Sequence, residues 1–410
     1  MNERRMMEFE EARRSFPGLE DKVFLDAAAV SLTPVQARAG IEQFLDLAVS
    51  GNPGDASRLH LAMDNLREEA LQEAAALLKT KPENVALIES TTHGLNIAAN
   101  ALPLSRGDNV LIADTEYLQV AIPWAKKQES IGLELRPVHS QGDGMLTPDD
   151  FASAMDSKTK AVCVSSVQWC SGFRMDIKTL GEICRAREIW LVVDAVQEMG
   201  AMDIDLSYQY ADFVVAGGHK WLNAPFGCGV MFVSDKVLAE LEPASHGYLA
   251  VEPPESGWGV YFQTPTITPF REYVFPPTAK KFEIAGTGNY PGAVGLGKSL
   301  KLVNQIGIRN VEHHIRKLTD LLHDELDKSG ARLISQRDPR YRSGITVFRY
   351  HANPADDLRL LNEILEQRIM ISIRYTSNIG GLRVSSHYFN TEDDIMQLCE
   401  AVRGHGSKRQ

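Results

Sequence analysis

Two apolar segments of this chain each lead directly to a charged residue that could do chemistry. Trp190–Val193 is followed by Asp194, and Phe213–Ala216 leads through two glycines and a histidine to Lys220. A lysine amine that loses its proton forms a Schiff base with an aldehyde, and a carboxylate can keep a pyridine nitrogen protonated. This pair predicts a pyridoxal 5'-phosphate (PLP) site, with Lys220 as the attachment point and as the base for a substrate Cα proton.

The surroundings of these two residues fit that chemistry, although each residue also has a simpler interpretation. Gly217 and Gly218 allow a sharp turn, and Trp221 must bury next to it, so burial can lower the pKa of the Lys220 amine. The simpler interpretation of this lysine is a surface residue of a turn. Asp194 would hold the ring nitrogen, or it would only cap the next helix.

A third segment, Glu89–Asn96, could bind the phosphate of such a cofactor. It follows the apolar run Val85–Ile88 and opens a helix with hydroxyl residues, and a helix N-terminus attracts anions. The alternative is an ordinary Ser/Thr N-cap. Gln197, about one helical turn beyond the first acid, could reach the ring hydroxyl or face solvent. The chain has no Walker loop, and residues 227–229 lead into a strand, which argues against a dinucleotide fingerprint.

Composition limits the classes of protein that remain. At 410 residues the chain exceeds one typical domain, which predicts two domains. The net charge of −11 argues against nucleic acid as the main partner. No apolar stretch approaches the about 20 residues of a membrane span, and the charged segment 1–14 predicts an amphipathic helix. Five cysteines without paired spacing predict a reduced, cytoplasmic chain, and we predict no metal site.

Short apolar runs alternate with helical patterns, which predicts an α/β fold around a mostly parallel sheet covered on both faces. Ligands of such sheets bind beyond the carboxyl ends of the strands, where Asp194 and Lys220 fall. The predicted strands are Val85–Ile88, Asn109–Ala113, Leu133–Val138, Ala161–Val167, Ile189–Val193, Asp212–Ala216 and Gly229–Val233. The predicted helices are Leu59–Leu78, Gly94–Ala101, Val120–Ile131, Pro148–Met155 and Thr179–Arg187.

The amino-acid composition of the chain changes after Val233. Residues 243–277 are rich in proline, glycine and aromatic residues, and their length predicts a lid or a wall of the site. The aromatic residues could equally pack at a dimer interface. A long helical stretch (residues 292–328) and an α+β segment (residues 331–402) follow. We therefore predict a helical arm that packs on the small domain, a large PLP-binding domain and a small C-terminal domain, with bounds 1–20, 21–285 and 286–410.

Eight groups of residues occur in a characteristic order along nearly the whole chain. They are Leu25-Asp26-Ala27-Ala28-Ala29, Thr91-Thr92-His93-Gly94-Leu95-Asn96, Glu116-Tyr117 with Pro123-Trp124, Val167-Gln168 with Ser171-Gly172, Asp194-Ala195-Val196-Gln197, Gly218-His219-Lys220-Trp221, Phe282-Glu283-Ile284-Ala285-Gly286-Thr287, and Leu382-Arg383-Val384-Ser385 with Asn390-Thr391. In this order they resemble the class V aminotransferase group of fold-type I PLP enzymes, which includes cysteine desulfurases, isopenicillin N epimerase and kynureninase. The resemblance implies a large domain with a mostly parallel seven-stranded sheet, a smaller α+β domain, and a homodimer with shared active sites.

The resemblance also implies a role for each position. Lys220 would carry the cofactor, Asp194 would hold the ring nitrogen, and Tyr117 would stack on the ring. Arg383 would bind the substrate carboxylate, or it would be a surface residue at a strand edge. The other cofactor residues would be Gln168 and Gln197 at the ring hydroxyl, Thr91, Thr92, His93 and His219 at the phosphate, and Thr287 at the phosphate of the neighbouring subunit.

Two departures from the family pattern narrow this assignment. Many relatives have serine as a phosphate ligand where this chain has Gly217, so another group must replace that hydroxyl. Cysteine desulfurases carry a mobile catalytic cysteine in the loop that is Ile373–Gly381 here, and this loop has no cysteine. Cys170 could approach the cofactor, or it could be a buried, inert thiol. Ala28 and Arg374 would line the substrate pocket, although this arginine could also be a solvated loop charge.

These observations predict a PLP enzyme that acts on a free α-amino acid by removing its Cα proton. The resemblance to desulfurase-like and epimerase-like members favours a lyase that breaks a C–S bond or eliminates another β-substituent. An aminotransferase or an amino-acid epimerase of the same fold is the alternative. A relative that has lost catalysis and only binds ligands is a further alternative, against which the joint retention of the site residues argues.

Overall fold

The fold is described from a computed structural model of the chain. The structure describes residues 7–51, 56–204, 210–283, 286 and 288–407. The predicted position of Thr287 therefore lies outside the described residues. In that part of the chain, no helix is both long enough and apolar enough to cross a membrane.

A seven-stranded sheet forms the centre of the larger part of the molecule. Its strand order is β2-β8-β7-β6-β5-β3-β4, and β8 alone runs antiparallel to its neighbours in this sheet. The predicted strands are confirmed, with ends that shift by one or two residues. The strands in chain order are β1 (Val23–Phe24), β2 (Val85–Ile88), β3 (Asn109–Ala113), β4 (Glu134–Val138), β5 (Thr159–Ser165), β6 (Trp190–Asp194), β7 (Phe213–Gly217), β8 (Gly229–Val233), β9 (Arg332–Leu333), β10 (Ile345–Arg349), β11 (Ile369–Met370), β12 (Ser372–Thr376) and β13 (Ile379–Ser385).

Helices cover both faces of this sheet. The strand side chains alternate between two apolar clusters: Val193 faces one cluster and Val192 faces the other. This two-sided burial explains why the strands are continuous apolar runs rather than alternating ones. The helices are α1 (Phe9–Arg13), α2 (Val35–Ser50), α3 (Ala56–Asn65), α4 (Glu68–Leu78), α5 (Thr91–Ala101), α6 (Leu118–Ile131), α7 (Pro148–Ala154), α8 (Ile177–Ala186), α9 (Asp235–Glu240), α10 (Gly257–Tyr261), α11 (Tyr290–Ile306), α12 (Ile308–Lys328), α13 (Pro354–Glu366) and α14 (Glu392–Ser407).

Two predicted helices are each divided in the structure. The stretch 59–78 breaks between α3 and α4 at Arg67, which pairs with Asp64 and with the buried Glu283. The stretch 292–328 breaks at Gly307, whose φ of 87° lies in the left-handed region that glycine tolerates. Local helical pattern is continuous across both sites, so the prediction of single helices was wrong.

The second sheet has the order β12-β13-β10-β9 and belongs to the smaller part of the molecule. The segment that was predicted as a loop, residues 373–381, is a tight hairpin instead. Its two turn residues, Ser377 and Asn378, have φ of 48° and 62°, which matches the two-residue turns that join twisted strands. Short strand β1 pairs in parallel with β11, so residues 23–24 pack with this smaller unit.

The N-terminal segment and α11 show how the two parts join. Arg13 Nη1 lies 2.9 Å from Asp394 Oδ2 and donates to Phe389 O at 2.6 Å, and the Phe16 ring packs on the Phe389 ring. Helix α11 buries Leu296 and Leu300 in the same apolar cluster as α4. This packing supports a proposal that the large domain extends through α11, beyond the predicted boundary at residue 286.

Candidate active site

A cavity of about 420 Å³ opens at the carboxyl ends of β5, β6 and β7. Asp194 ends β6, and Lys220 follows β7 by three residues, so the parallel strands bring the acid and the lysine to one edge of the sheet. The cavity is lined by Ala28, Ala29, Val30, Ser90, Thr91, Thr92, Tyr117, Gln119, Ser165, Trp169, Asp194, Val196, Gln197, His219, Lys220, Arg374 and Arg383. Ten of the predicted site residues therefore share one cavity.

The Lys220 amine lies in a setting that favours its neutral form. Burial lowers the pKa of this amine to about 8, and the positive charges of Arg383 and Arg374 act in the same direction. The carboxylate of Asp194 opposes this shift but does not cancel it. The amine nitrogen also lies 5.9 Å from the centre of the Tyr117 ring. A neutral amine at moderate pH is the form that attacks an aldehyde.

Asp194 is a buried carboxyl group whose stabilising contacts do not offset the cost of burying its charge. Burial raises its pKa to about 6, while a hydrogen bond from the backbone N–H of Val196 at 2.9 Å and the charge of Lys220 lower it. A positive group brought into the cavity beside it would stabilise the ionised carboxylate. The site therefore favours a cationic group at this position.

The N-terminus of α5 faces the cavity and could hold an anion. Ser90 caps the helix by accepting the N–H of His93, and Thr91 and Thr92 follow at the first turn. The Thr91 hydroxyl accepts the N–H of Gly217 at 2.9 Å. A Cβ atom at Gly217 would lie 2.9 Å from this same oxygen. Thr91 thus occupies the space into which a side chain at position 217 would project.

His219 completes this end of the cavity. Its ring stacks on Phe226 with ring centres 5.1 Å apart. Burial and the nearby Lys220 lower the pKa of this imidazole to about 4, so the ring is neutral near pH 7. A neutral imidazole can donate one hydrogen bond to an anion without adding charge.

The side chains of Arg374 and Arg383 project from the same face of the second sheet and line the cavity. Ser372 pairs with Arg383 across β12 and β13, and Arg374 lies two residues further along β12. Arg383 donates to Asp26 Oδ1 and to Trp169 O, both at 3.2 Å. Its Nε has no partner among the described residues. Arg374 is therefore a strand residue of the cavity wall, and the alternative of a solvated loop charge is wrong.

Three predicted ligands are placed differently. The Gln168 side chain is buried outside the cavity, where it donates to Glu116 Oε1 at 2.8 Å and accepts from the Thr115 hydroxyl at 3.0 Å. The His93 ring lines a separate small cleft, and its backbone N–H is already used by the helix cap. Gln197 lies at the cavity, but its amide bonds to Ala28 O and to the Trp221 indole. Gln197 thus lines the cavity, whereas Gln168 and His93 lie outside its lining.

Two further predictions concern the walls of the site. In the described part of the chain, no residue of 243–277 lines the cavity; this segment packs on α3 through Leu249, Trp258 and Leu61. Cys170 is buried outside the cavity, and burial raises the pKa of its thiol to about 12. The interpretation of this cysteine as an inert buried thiol agrees with that position.

Sequence reasoning gave no role to several polar residues of the site. Glu116 is buried against Ser165, a residue of the cavity wall, and Asp26 binds Arg383. Trp169 lines the cavity with its ring edge-on to Tyr117. Glu116 and Asp26 both stand inside motifs of the sequence. The first directly precedes Tyr117, and the second stands two residues before Ala28. That adjacency is the signal that could have found them.

The fold and the site together define an α/β enzyme class with a lysine and an acid at the edge of a mostly parallel sheet. The class V aminotransferase family model matches residues 23–398, and the chain belongs to this family. It is 30% identical to a probable cysteine desulfurase of Methanothermobacter thermautotrophicus, over 97% of this chain and 98% of that protein. It is also 30% identical to isopenicillin N epimerase of Streptomyces clavuligerus, over 84% and 88%.

A likeness to solved structures supports the same fold. A mutant of C-DES with glycine covalently linked to its PLP cofactor superposes with a TM-score of 0.83 at 20% identity, covering 95% of this chain and 98% of that chain. The complex of C-DES, a cystine C-S lyase, with cysteine persulfide gives a TM-score of 0.82. The predicted fold-type I architecture is confirmed.

Proposed function

We propose that this protein is a PLP-dependent enzyme that acts on an α-amino acid through Lys220. The observation that carries the proposal is one cavity that combines a buried amine, a buried carboxyl group and a helix N-terminus, supplied by Lys220, Asp194 and α5. A structural neighbour that holds PLP supports it. The cavity contains a group suited to each end of the cofactor, so the residues fit it.

The parts of PLP match separate walls of the cavity. Thr91, Thr92 and His219 would hold the phosphate, since a helix N-terminus and neutral donors suit an anion. Asp194 would hold the ring nitrogen, and Lys220 would bond the aldehyde carbon. PLP bound there supplies an electron sink for the charge that develops at the substrate Cα.

The residues of the chain would bind the amino acid and move its proton. Arg383 and Arg374 would take the α-carboxylate, because guanidinium groups match a planar anion. Lys220 has a pKa near 8, so it can accept the Cα proton and return it near neutral pH. Tyr117 and Trp169 line the cavity with their rings in edge-to-face contact.

Within this chemistry we favour C–S cleavage or another β-elimination. The curated relatives support this choice, because a probable cysteine desulfurase aligns over nearly the whole chain. Hairpin residues 373–381 contain no cysteine, so sulfur would leave on a small product rather than on a protein thiol there. Isopenicillin N epimerase is also a relative, so epimerisation and transamination are the outcomes that a test must separate.

The first experiment tests the cofactor and the lysine. Protein reconstituted with PLP should show an absorption band of the bound cofactor near the visible region. Borohydride should then fix PLP covalently to the peptide that contains Lys220, which mass spectrometry detects. Lys220→Ala should give no fixed adduct, and Lys220→Arg is the control that keeps the positive charge. Wild-type protein without an adduct at this residue refutes the proposal.

The second experiment identifies the reaction. Candidate amino acids are incubated with the reconstituted enzyme, and the products are separated. Keto acid with ammonia or thiol supports the lyase. A requirement for an amino acceptor, with accumulation of pyridoxamine phosphate, overturns the lyase in favour of an aminotransferase. Inversion at Cα with solvent deuterium uptake overturns it in favour of an epimerase.

A homodimer with shared sites belongs to the same proposal. The aromatic side chains of residues 243–277 support it, because Phe262 is 48% and Phe270 is 91% exposed in the single chain. If Thr287 serves the phosphate of the neighbouring subunit, a monomeric form should bind PLP poorly. Analytical ultracentrifugation combined with PLP titration tests this, and tight binding by a monomer contradicts it.

A further inference from the structure

Glu116 is a buried carboxyl group that the proposed chemistry does not use. It lies between β3 and α6 and is 8% exposed. Three donors converge on it. The Ser165 backbone N–H donates to Oε1 at 2.7 Å, Gln168 Nε2 donates to the same oxygen at 2.8 Å, and the Ser165 hydroxyl donates to Oε2. Three donors that converge on one carboxyl group stabilise its ionised form, in which the Ser165 hydroxyl is the donor to Oε2.

Ser165 connects this carboxylate to the cavity. It is the last residue of β5 and pairs in register with Asp194, the last residue of β6. Its side chain also lines the cavity. A hydroxyl has one hydrogen and two lone pairs. Since the hydrogen points to Glu116, the oxygen presents only lone pairs toward the cavity beside Asp194.

Other groups around Glu116 reinforce this orientation. The Thr115 hydroxyl donates to the Gln168 oxygen at 3.0 Å, so the amide nitrogen of that glutamine is fixed toward the carboxylate. Asp194 is the nearby negative group. Burial raises the pKa of Glu116 to about 7, the charge of Asp194 adds to this rise, and the Ser165 and Gln168 hydrogen bonds oppose it.

We propose that Glu116 is a positioning residue that fixes the Ser165 hydroxyl as a hydrogen-bond acceptor at the cavity edge beside Asp194. The inference rests on the proposed function, because the acceptor favours a positively charged ring nitrogen at that edge. A buried hydrogen-bonded pair is fixed in direction, so its dipole needs no reorganisation when the ligand binds. Ser165 thereby supplements the Asp194 carboxylate.

Glu116→Gln reverses the direction of this hydrogen bond while it keeps the shape of the side chain. The amide oxygen can still accept from the Ser165 N–H and from Gln168. The amide nitrogen must donate to the Ser165 oxygen, so the hydroxyl hydrogen turns away toward the cavity. We expect the PLP dissociation constant to rise about tenfold, as for the loss of one hydrogen bond in a buried site.

A double-mutant cycle separates positioning from packing. The dissociation constant of PLP and the absorption spectrum of the bound cofactor are measured for wild type, Glu116→Gln, Ser165→Ala and the double variant, with the melting temperature of each apoprotein. We expect the effect of Glu116→Gln to vanish in the Ser165→Ala background. An equal effect in both backgrounds, or none in wild type, overturns the inference.

Two controls keep the result decisive. If Glu116→Gln does not fold, Ser165→Ala alone must still weaken PLP binding severalfold, and wild-type affinity in that variant overturns the inference. Failure of the wild-type protein to bind PLP refutes the proposed function instead. The two failures are therefore distinguished by the wild-type titration.

Discussion

The relation between Gly217 and Thr91 gives a prediction that can be worked out from distances. In Gly217→Ala the added Cβ would lie 2.9 Å from Thr91 Oγ1 and 3.2 Å from His219 Nδ1. Real Cβ atoms do not approach an oxygen that closely, so the threonine hydroxyl must move. The move breaks the hydrogen bond from the Gly217 N–H at 2.9 Å and takes the hydroxyl away from the anion end of the cavity.

The size of the effect follows from these two losses. A neutral hydrogen bond contributes about 1 kcal/mol to stability. The free energy of unfolding of the apoprotein should therefore fall by about that amount. A hydrogen bond to a charged group contributes about 1.5–3 kcal/mol, so PLP should bind about 10- to 150-fold more weakly. Equilibrium titration of the apoprotein with PLP measures the second effect, and urea unfolding measures the first.

A compensating variant makes the reasoning refutable. Thr91→Ala combined with Gly217→Ser removes the crowding. It returns one hydroxyl to the site, from β7 instead of α5. This double variant should bind PLP within a few-fold of wild type and more tightly than either single variant. Wild-type affinity in Gly217→Ala, or a double variant no better than Gly217→Ser alone, would show that the two positions do not share one hydroxyl site.

Three further predictions concern other parts of the molecule. Burial lowers the pKa of Lys220 to about 8, from a usual value of 10.5. The rate at which the apoprotein binds PLP should therefore rise with pH around a midpoint near 8. A midpoint above pH 10 in stopped-flow measurements contradicts this prediction. Glu283→Gln should cost about 1.5–3 kcal/mol in urea unfolding, because it removes one of the two carboxylates that pair with the buried Arg67. Gly172→Ala should melt several degrees lower in calorimetry, because its Cβ would lie 2.3 Å from Ile345 O at a φ of +70°; unchanged melting contradicts the close approach.

The central sheet and the main reactive pair were predictable for a simple reason. Strands buried on both faces are continuous apolar runs, and a charged residue at the end of such a run is easy to see. Asp194 and Lys220 are both of this kind. The hairpin at Ser377-Asn378 was missed because these residues fit a loop equally well; only the pairing of β12 with β13 makes them a turn.

The supporting contacts of the site were not predictable, because they join residues far apart in the chain. Ser165 and Glu116 are 49 positions apart, and neither has a local pattern that points to the other. The same holds for Gln168, whose amide is held by Glu116 and Thr115, so its predicted role at the ring hydroxyl stays a prediction. Motif position gives the residue type, whereas the direction of the side chain depends on these distant partners.

The parallel pairing of β1 with β11 has a consequence for how the protein is made. Asp26, two residues after β1, binds Arg383, which is 357 positions further along the chain. At about 5–20 residues per second a ribosome needs roughly 20–70 seconds to cover that distance. The first strand of the protein must therefore wait, unpaired, while the whole central sheet is synthesised. The contact between Asp26 and Arg383 at the cavity therefore forms only after residue 383 has been synthesised.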